Sequence, residues 1–138
     1  MPELADITAF VADETGLDRS WLTPERDIFG RGGISGDDCD ELLRSLSERY
    51  QIDMSKHLWY FHHAEEASFN LGGLFFKPPN ARVTHIPVTP TLLLEAATSG
   101  HWPVTYPHHR LPKRRYDMWL NASIACAIIV AIAIAYFS

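Results

Sequence analysis

The residues able to bind or react are few. Seven histidines and two cysteines are present. His57, His62 and His63 lie close to Glu65 and Glu66, and His62 with Glu66 would share a helix face at i, i+4. No Cys-x-x-Cys, His-Glu-x-x-His or comparable ligand spacing accompanies them, so no metal is expected. Gly30, Gly32, Gly33 and Gly36 cluster without the lysine of a phosphate-binding loop. No Gly-x-Ser-x-Gly elbow is present, and the scattered Ser, His and Asp residues show no spacing that joins them. Cys39 falls on an apolar stripe and reads as a packed small hydrophobe, not a nucleophile. The chain reads as noncatalytic, and the chemistry left to it is charge.

That charge is unevenly distributed. Net charge is −5 over 138 residues. Residues 1–109 hold 16 Asp/Glu against 8 Lys/Arg. Arg110, Lys113, Arg114 and Arg115 follow against Asp117 alone, and residues 118–138 carry no charged side chain. An acidic domain lacks the basic face that would displace phosphate counterions, which excludes nucleic acid as the partner.

The elements that position the acids read as helices. Leu4, Ile7 and Val11 share one face of a helix over residues 3–15, with Gly16 as its stop. A loop spans Leu17 to Phe29, in which Thr23-Pro24-Glu25 reads as a cap and first turn. Asp37 or Asp38 is expected to cap a second helix through Tyr50, on which Cys39, Leu42, Leu43, Leu46 and Tyr50 fall at i, i+3, i+4, i+7 and i+11. Asp37, Asp38, Asp40 and Glu41 crowd its first turn, where the helix dipole favours them. Met54-Ser55 opens a short third turn through Leu58.

This layout over residues 3–60 resembles an acyl carrier protein. Ser35-Gly36-Asp37 leads into a helix ending Ser47-Glu48-Arg49-Tyr50, followed by Ile52-Asp53-Met54. Over residues 3–106 the chain is more similar still to an uncharacterised bacterial family described as acyl-carrier-like. The strings that carry this likeness are Asp27-Ile28-Phe29, Gly33-Ile34-Ser35-Gly36-Asp37-Asp38, Ser47-Glu48-Arg49-Tyr50, Trp59-Tyr60-Phe61 and Ile86-Pro87-Val88-Thr89-Pro90. Counting back from Tyr50 sets Gly36 where a carrier attaches its arm, with Asp37 in place of the usual leucine. Glycine has no hydroxyl and forms no phosphodiester. The expectation is therefore no cofactor; the alternative is 4'-phosphopantetheine on Ser35, after a one-residue shift of the loop. The resemblance implies docking on a basic surface of a protein partner through Asp37, Asp38, Asp40, Glu41 and Glu48.

Beyond residue 58, Trp59, Tyr60, Phe61, Phe69, Phe75 and Phe76 make an aromatic segment, read as the core of a small α+β extension or as a ligand cleft. A cleft would suit a small ligand-binding domain or hydrolase. Arg82 to Val88 reads as a strand, with Leu74-Phe75-Phe76 as its hairpin partner. Thr89-Pro90 starts a helix through Ser99, closed by Gly100. His101 to Pro107 reads as extended, and His108 and His109 as interfacial polar residues beside the basic stretch.

Met118 to Ser138 would span about 31 Å as a helix at ~1.5 Å per residue, close to the ~30 Å hydrocarbon thickness. Tyr116 and Trp119 at one end and Tyr136 at the other suit the headgroup zones, and Lys113, Arg114 and Arg115 place the preceding domain in the cytoplasm. Ser123, Ala127, Ala131 and Ala135 recur every four residues, a stripe on which two such helices would pair as a homodimer. The expected architecture is mainly α with a minor β part. It comprises an acyl-carrier-like cytoplasmic domain (1–106), a basic juxtamembrane linker (107–117) and a transmembrane helix (118–138). Single-pass tail anchoring in a bacterial inner membrane is the expected address.

Overall fold

The computed structural model describes residues 1–65 and 70–138. Five α-helices are formed among them: α1 (Leu4–Thr15), α2 (Ile28–Arg31), α3 (Asp37–Tyr50), α4 (Pro90–Ser99) and α5 (Tyr116–Phe137). Short 3-10 turns at Trp59–Phe61, Leu71–Leu74 and Pro79–Arg82 punctuate the long connection between α3 and α4.

α1, α3 and α4 pack on one another around a common core. α3 supplies Cys39, Leu42, Leu43 and Leu46, all buried. α1 adds Ile7, Phe10 and Val11, and α4 adds Leu93 and Ala96. Ile28 and Phe29 of α2 join them, and Leu22, Ile52, Val88 and Trp102 close the core from the loops. Each fully buried Leu, Ile or Phe contributes about 1.5–3 kcal/mol. The consecutive Leu92, Leu93 and Leu94 split as helical geometry demands: Leu93 is buried, and its two neighbours lie partly covered on either side.

The ends of these helices follow local chemistry. The Glu3 carbonyl accepts from the amides of Asp6 and Ile7 while Glu3 N donates to Asp6 Oδ2 at 2.8 Å, and Gly16 adopts φ 74° as the stop. Thr89 Oγ1 accepts from Leu92 N at 3.1 Å ahead of Pro90, and Gly100 ends α4 at φ 74°. α3 departs from expectation. Its cap residue is Gly36, no side chain caps it, and Asp37 already lies inside the helix. Thr23-Pro24-Glu25 starts no helix. It forms a turn whose Pro24 carbonyl accepts both the amide and the hydroxyl of Thr91 in α4, which ties the loop down instead.

The hairpin is absent among the described residues, where β pairing is confined to one parallel bridge, Asp53 with His101. The reason lies in where the backbone groups of the expected strand go. Ile86 N donates to Phe61 O, Val88 O accepts from Ile28 N, and Val88 N donates to Asp27 Oδ1. Pro87 has no amide to give. Segment 82–88 therefore acts as a strap across α2 and the Trp59–Phe61 turn. Its expected partner, Leu74-Phe75-Phe76, lies instead at the Leu71–Leu74 turn, which packs on α5.

α5 is the one helix among the described residues that is long and apolar enough to cross a membrane, with mean hydropathy 2.3 and an apolar window left unburied. It starts at Tyr116, so Asp117 is helical. It is also not a free extension. Asp117, Leu120, Asn121 and Ile124 share one face and are its covered or half-covered positions. Gly72 meets this face so closely that a β-carbon there would stand 2.1 Å from the Asp117 carbonyl oxygen. Gly72→Ala is expected to lift the turn off α5 while leaving the three-helix core intact. Amide exchange in full-length protein in detergent micelles should accelerate at residues 70–76 and stay unchanged in α1, α3 and α4.

Candidate functional site

α3 turns its acids outward because its apolar stripe is fully engaged. Asp37, Asp38, Asp40, Glu41 and Glu48 are all exposed. Asp38 and Glu41 line a hollow of about 260 Å³ together with Glu14 and Thr15 from the end of α1, and Ile34 and Leu42 form its apolar side. Glu14 brings a third carboxylate that sequence spacing alone does not connect to α3. Its only signal is its place on the polar face of α1 just ahead of Gly16. Three carboxylates over an aliphatic floor make a receptacle for a cationic side chain with an alkyl stem. Asp40 points elsewhere: its Oδ1 lies 3.2 Å from the buried His63 Nε2, out of line for a hydrogen bond.

Gly36 is buried, and its φ of 53° with ψ −126° is a backbone state that a residue with a β-carbon rarely adopts. Its amide donates to the Ala64 carbonyl at 3.2 Å, which fixes the α3 start against the segment after the Trp59–Phe61 turn. Ser35 beside it is exposed. It borders a second hollow, of about 320 Å³, lined also by Phe29, Ile34, Tyr60 and His63. Cys39 is wholly buried, and burial, then Asp40 and Asp38, pushes its thiol up to about 12. It stays protonated, an inert filler.

The histidines divide by environment. His85 pairs with Asp27 Oδ2, and the absence of a side chain at Gly30 leaves room for that pair. Asp27 also caps α2 through Phe29 N and holds the 82–88 strap through Val88 N. His109 Nε2 meets Tyr60 OH at 2.8 Å, so this half-buried ring is tied to the domain. Among the described residues no three His, Cys, Asp or Glu side chains gather as metal ligands. The expected His62–Glu66 pair involves Glu66, which lies outside the described residues, as does Phe69. His62 itself follows a 3-10 turn and is not on an α-helix.

A buried network centres on Tyr106. Its hydroxyl accepts from Leu58 N at 3.1 Å and Trp102 Nε1 at 2.8 Å, which occupies both lone pairs. Its own proton must then go to His62 Nε2 at 2.7 Å, leaving Nδ1–H of His62 to donate to Ile86 O at 2.9 Å. This accounting fixes His62 as one neutral tautomer. His57 stacks on it with ring centres 5.2 Å apart, and His57 Nε2 makes no hydrogen bond. Burial first, then for His57 its histidine neighbours, lowers both rings to about 4. No local signal reveals this hub, because two of the three partners of Tyr106, Leu58 and His62, lie more than forty residues away in sequence. The aromatic segment is accordingly split: Phe61 is buried in this network, whereas Phe75 and Phe76 are exposed.

The basic stretch is split too. Arg110, Lys113 and Arg114 are exposed, as are Tyr116, Trp119 and Tyr136. Arg115 instead makes a two-pronged bond to Glu65, 2.8 Å on each side, and a second pair to Asp117 Oδ2 at 2.6 Å. All four residues of the stripe, Ser123, Ala127, Ala131 and Ala135, are exposed along α5. The chain matches no family model, no curated protein and no solved structure.

The neutral histidines give a signed pH response. Below the usual value of 6.5 the unfolded chain takes up protons that the folded His57 and His62 refuse. Stability is therefore present in full above that value and drains away as pH falls toward about 4. The slope should reach as much as ~1.4 kcal/mol per pH unit for each ring. Denaturant unfolding of the full chain in micelles across this window should show the decline, and His57→Phe should reduce its slope by about half.

Proposed function

We propose that this chain is a membrane-anchored, noncatalytic acyl-carrier-like protein that binds a protein partner with a basic surface through α3. The observation that carries this reading is the outward acidic rim of α3 joined to the Glu14–Asp38–Glu41 hollow. Such a rim steers a cationic partner and fixes its register. The residue at the α3 start supports it, since Gly36 is buried, has a positive φ and carries no side-chain hydroxyl to hold an arm. Three of the strings behind the acyl-carrier-like resemblance also meet in space, and a fourth bonds close beside them. Ile28 bonds Val88, Phe61 bonds Ile86, and Gly36 bonds the segment three residues after Phe61.

In this reading α5 crosses the bilayer, Lys113 and Arg114 hold the helical domain on the cytoplasmic side, and Tyr116, Trp119 and Tyr136 mark the two interfaces. A bacterial inner membrane fits the resemblance. The helix localises the domain, and the domain recognises the partner.

Asp38→Lys with Glu41→Lys is expected to abolish most partner capture in crosslinking pulldowns from intact membranes. The fold should survive, because both side chains are exposed and their helix-dipole contribution is about 0.3–1 kcal/mol each. Unchanged capture by a folded variant would show that recognition lies elsewhere.

A second reading is favoured by one observation. Ser35 is exposed and opens on the hollow lined by Phe29 and Tyr60, where an arm would have room. In that case the chain is a working carrier with 4'-phosphopantetheine on Ser35. Intact-mass measurement after incubation with a phosphopantetheinyl transferase and coenzyme A separates the two. No mass gain is expected, and a gain lost in Ser35→Ala would establish the carrier.

A further inference from the structure

Among the described residues outside α5 and the chain start, the most exposed large apolar side chains occupy one short segment: Leu71, Leu74, Phe75 and Phe76, with Leu74 79% and Phe75 76% exposed. Exposed apolar residues that adjoin one another mark an interaction surface. This segment is no free loop. The Gly72 amide donates to Asn121 Oδ1 at 2.8 Å, and Asn121 Nδ2 donates to Asn70 Oδ1 at 2.8 Å. Asn70 Nδ2 in turn donates to Asp117 Oδ2 at 3.0 Å. These bonds fix the turn beside residues 117–121 of α5, where the charged residues end and the apolar run begins. Phe76 also packs on Tyr116, with ring centres 5.7 Å apart. Wherever α5 enters lipid, the turn is held at the same level.

Charge completes the surface. Lys77, Arg82 and Arg114 line one hollow of about 70 Å³ together with Phe76 and Tyr116. Arg82 Nε is anchored on the Lys77 carbonyl at 2.7 Å, which holds two of these cations close together. The acid in the lining, Asp117, is engaged by Arg115. The hollow is therefore net cationic, at the depth where lipid phosphates lie and next to side chains suited to the acyl boundary.

We propose that Leu74, Phe75 and Phe76 insert into the headgroup–acyl boundary of the bilayer crossed by α5, and that Lys77, Arg82 and Arg114 take the phosphate of an anionic phospholipid. The proposal rests on the membrane-spanning reading of α5. It makes residues 71–82 a second membrane contact, some forty residues before the helix, which fixes how the acidic face of α3 is presented.

The test uses full-length chain carrying Cys39→Ala and Cys126→Ala, with a nitroxide at Phe75→Cys or, separately, Leu74→Cys. Glu48→Cys and Val130→Cys serve as references. The chain is reconstituted in vesicles of phosphatidylcholine, alone or mixed with phosphatidylglycerol. Collision with oxygen, which concentrates in lipid, is compared with collision with a water-soluble nickel chelate. Labels at 74 and 75 are expected to favour oxygen, at a depth shallower than 130, while 48 favours nickel. Adding Lys77→Gln and Arg82→Gln should raise nickel collision at 75 several-fold in the phosphatidylglycerol vesicles and leave it unchanged in phosphatidylcholine alone. If 74 and 75 read as aqueous while 130 reads as lipid, the insertion is wrong and the spanning helix stands. If both labels are shielded from both reagents, protein covers the segment and the lipid assignment falls. A depth at 75 indifferent to the two cations overturns the phosphate site. Nickel access at 130 removes the spanning helix and the proposal with it.

Discussion

The apolar stripe of α3 is the contact on which the rest of the domain depends. Cys39, Leu42, Leu43 and Leu46 must leave water, and α1 and α4 are the elements that cover them. Once that face is committed, the acids between them have nowhere to go but outward. The same packing brings Glu14 beside Asp38 and Glu41, which turns a row of surface charges into a three-sided receptacle. It also draws the α3 start against residue 64, and the chain accommodates the bend with a left-handed Gly36. Core, acidic rim and the left-handed Gly36 at the α3 start are thus three results of one burial event.

Loops do much of the remaining work because helices this short close little core alone. Asp27 serves three masters at once: the Phe29 amide of α2, the strap at Val88 and the ring of His85. Tyr106 does the same on the other side, saturating its hydroxyl with Leu58, Trp102 and His62. A hub of that kind rigidifies because removing one member strands several buried groups. It also holds two imidazoles neutral in the interior, which ties the fold to pH without any ligand.

At the other end, amides and one glycine join the domain to α5. Asn70 and Asn121 satisfy one another and Asp117, and Arg115 bridges Glu65 to Asp117. Polar groups this close to an apolar helix are costly unless each finds a partner, and here each does. The outcome is a domain and helix coupled directly, in place of a domain tethered by a slack linker. Arg115 accordingly belongs to the joint, while Lys113 and Arg114 stay exposed.

Four of the five helices among the described residues were legible in the residues themselves; α2 falls at Ile28–Arg31, where the end of a loop and a glycine-rich turn were expected. Period-3.6 burial, Thr89-Pro90 at a start, Gly16 and Gly100 at stops, and a charge-free run at 118–138 are local features whose physics acts within a few residues. The exposed acids followed from the same periodicity. What tertiary structure alone decided is everything made of distant pairs. The β-branched run at 82–88 looked like a strand, yet its amides and carbonyls found Asp27, Ile28 and Phe61 before any neighbouring strand. The Leu74–Phe76 segment joined α5 because Gly72 leaves space that no local pattern records. Glu14 joined α3, and Tyr106 joined His62, by the same kind of closure. Sequence spacing encodes which face of an element is apolar; which other element covers that face is settled only when the whole chain competes for it.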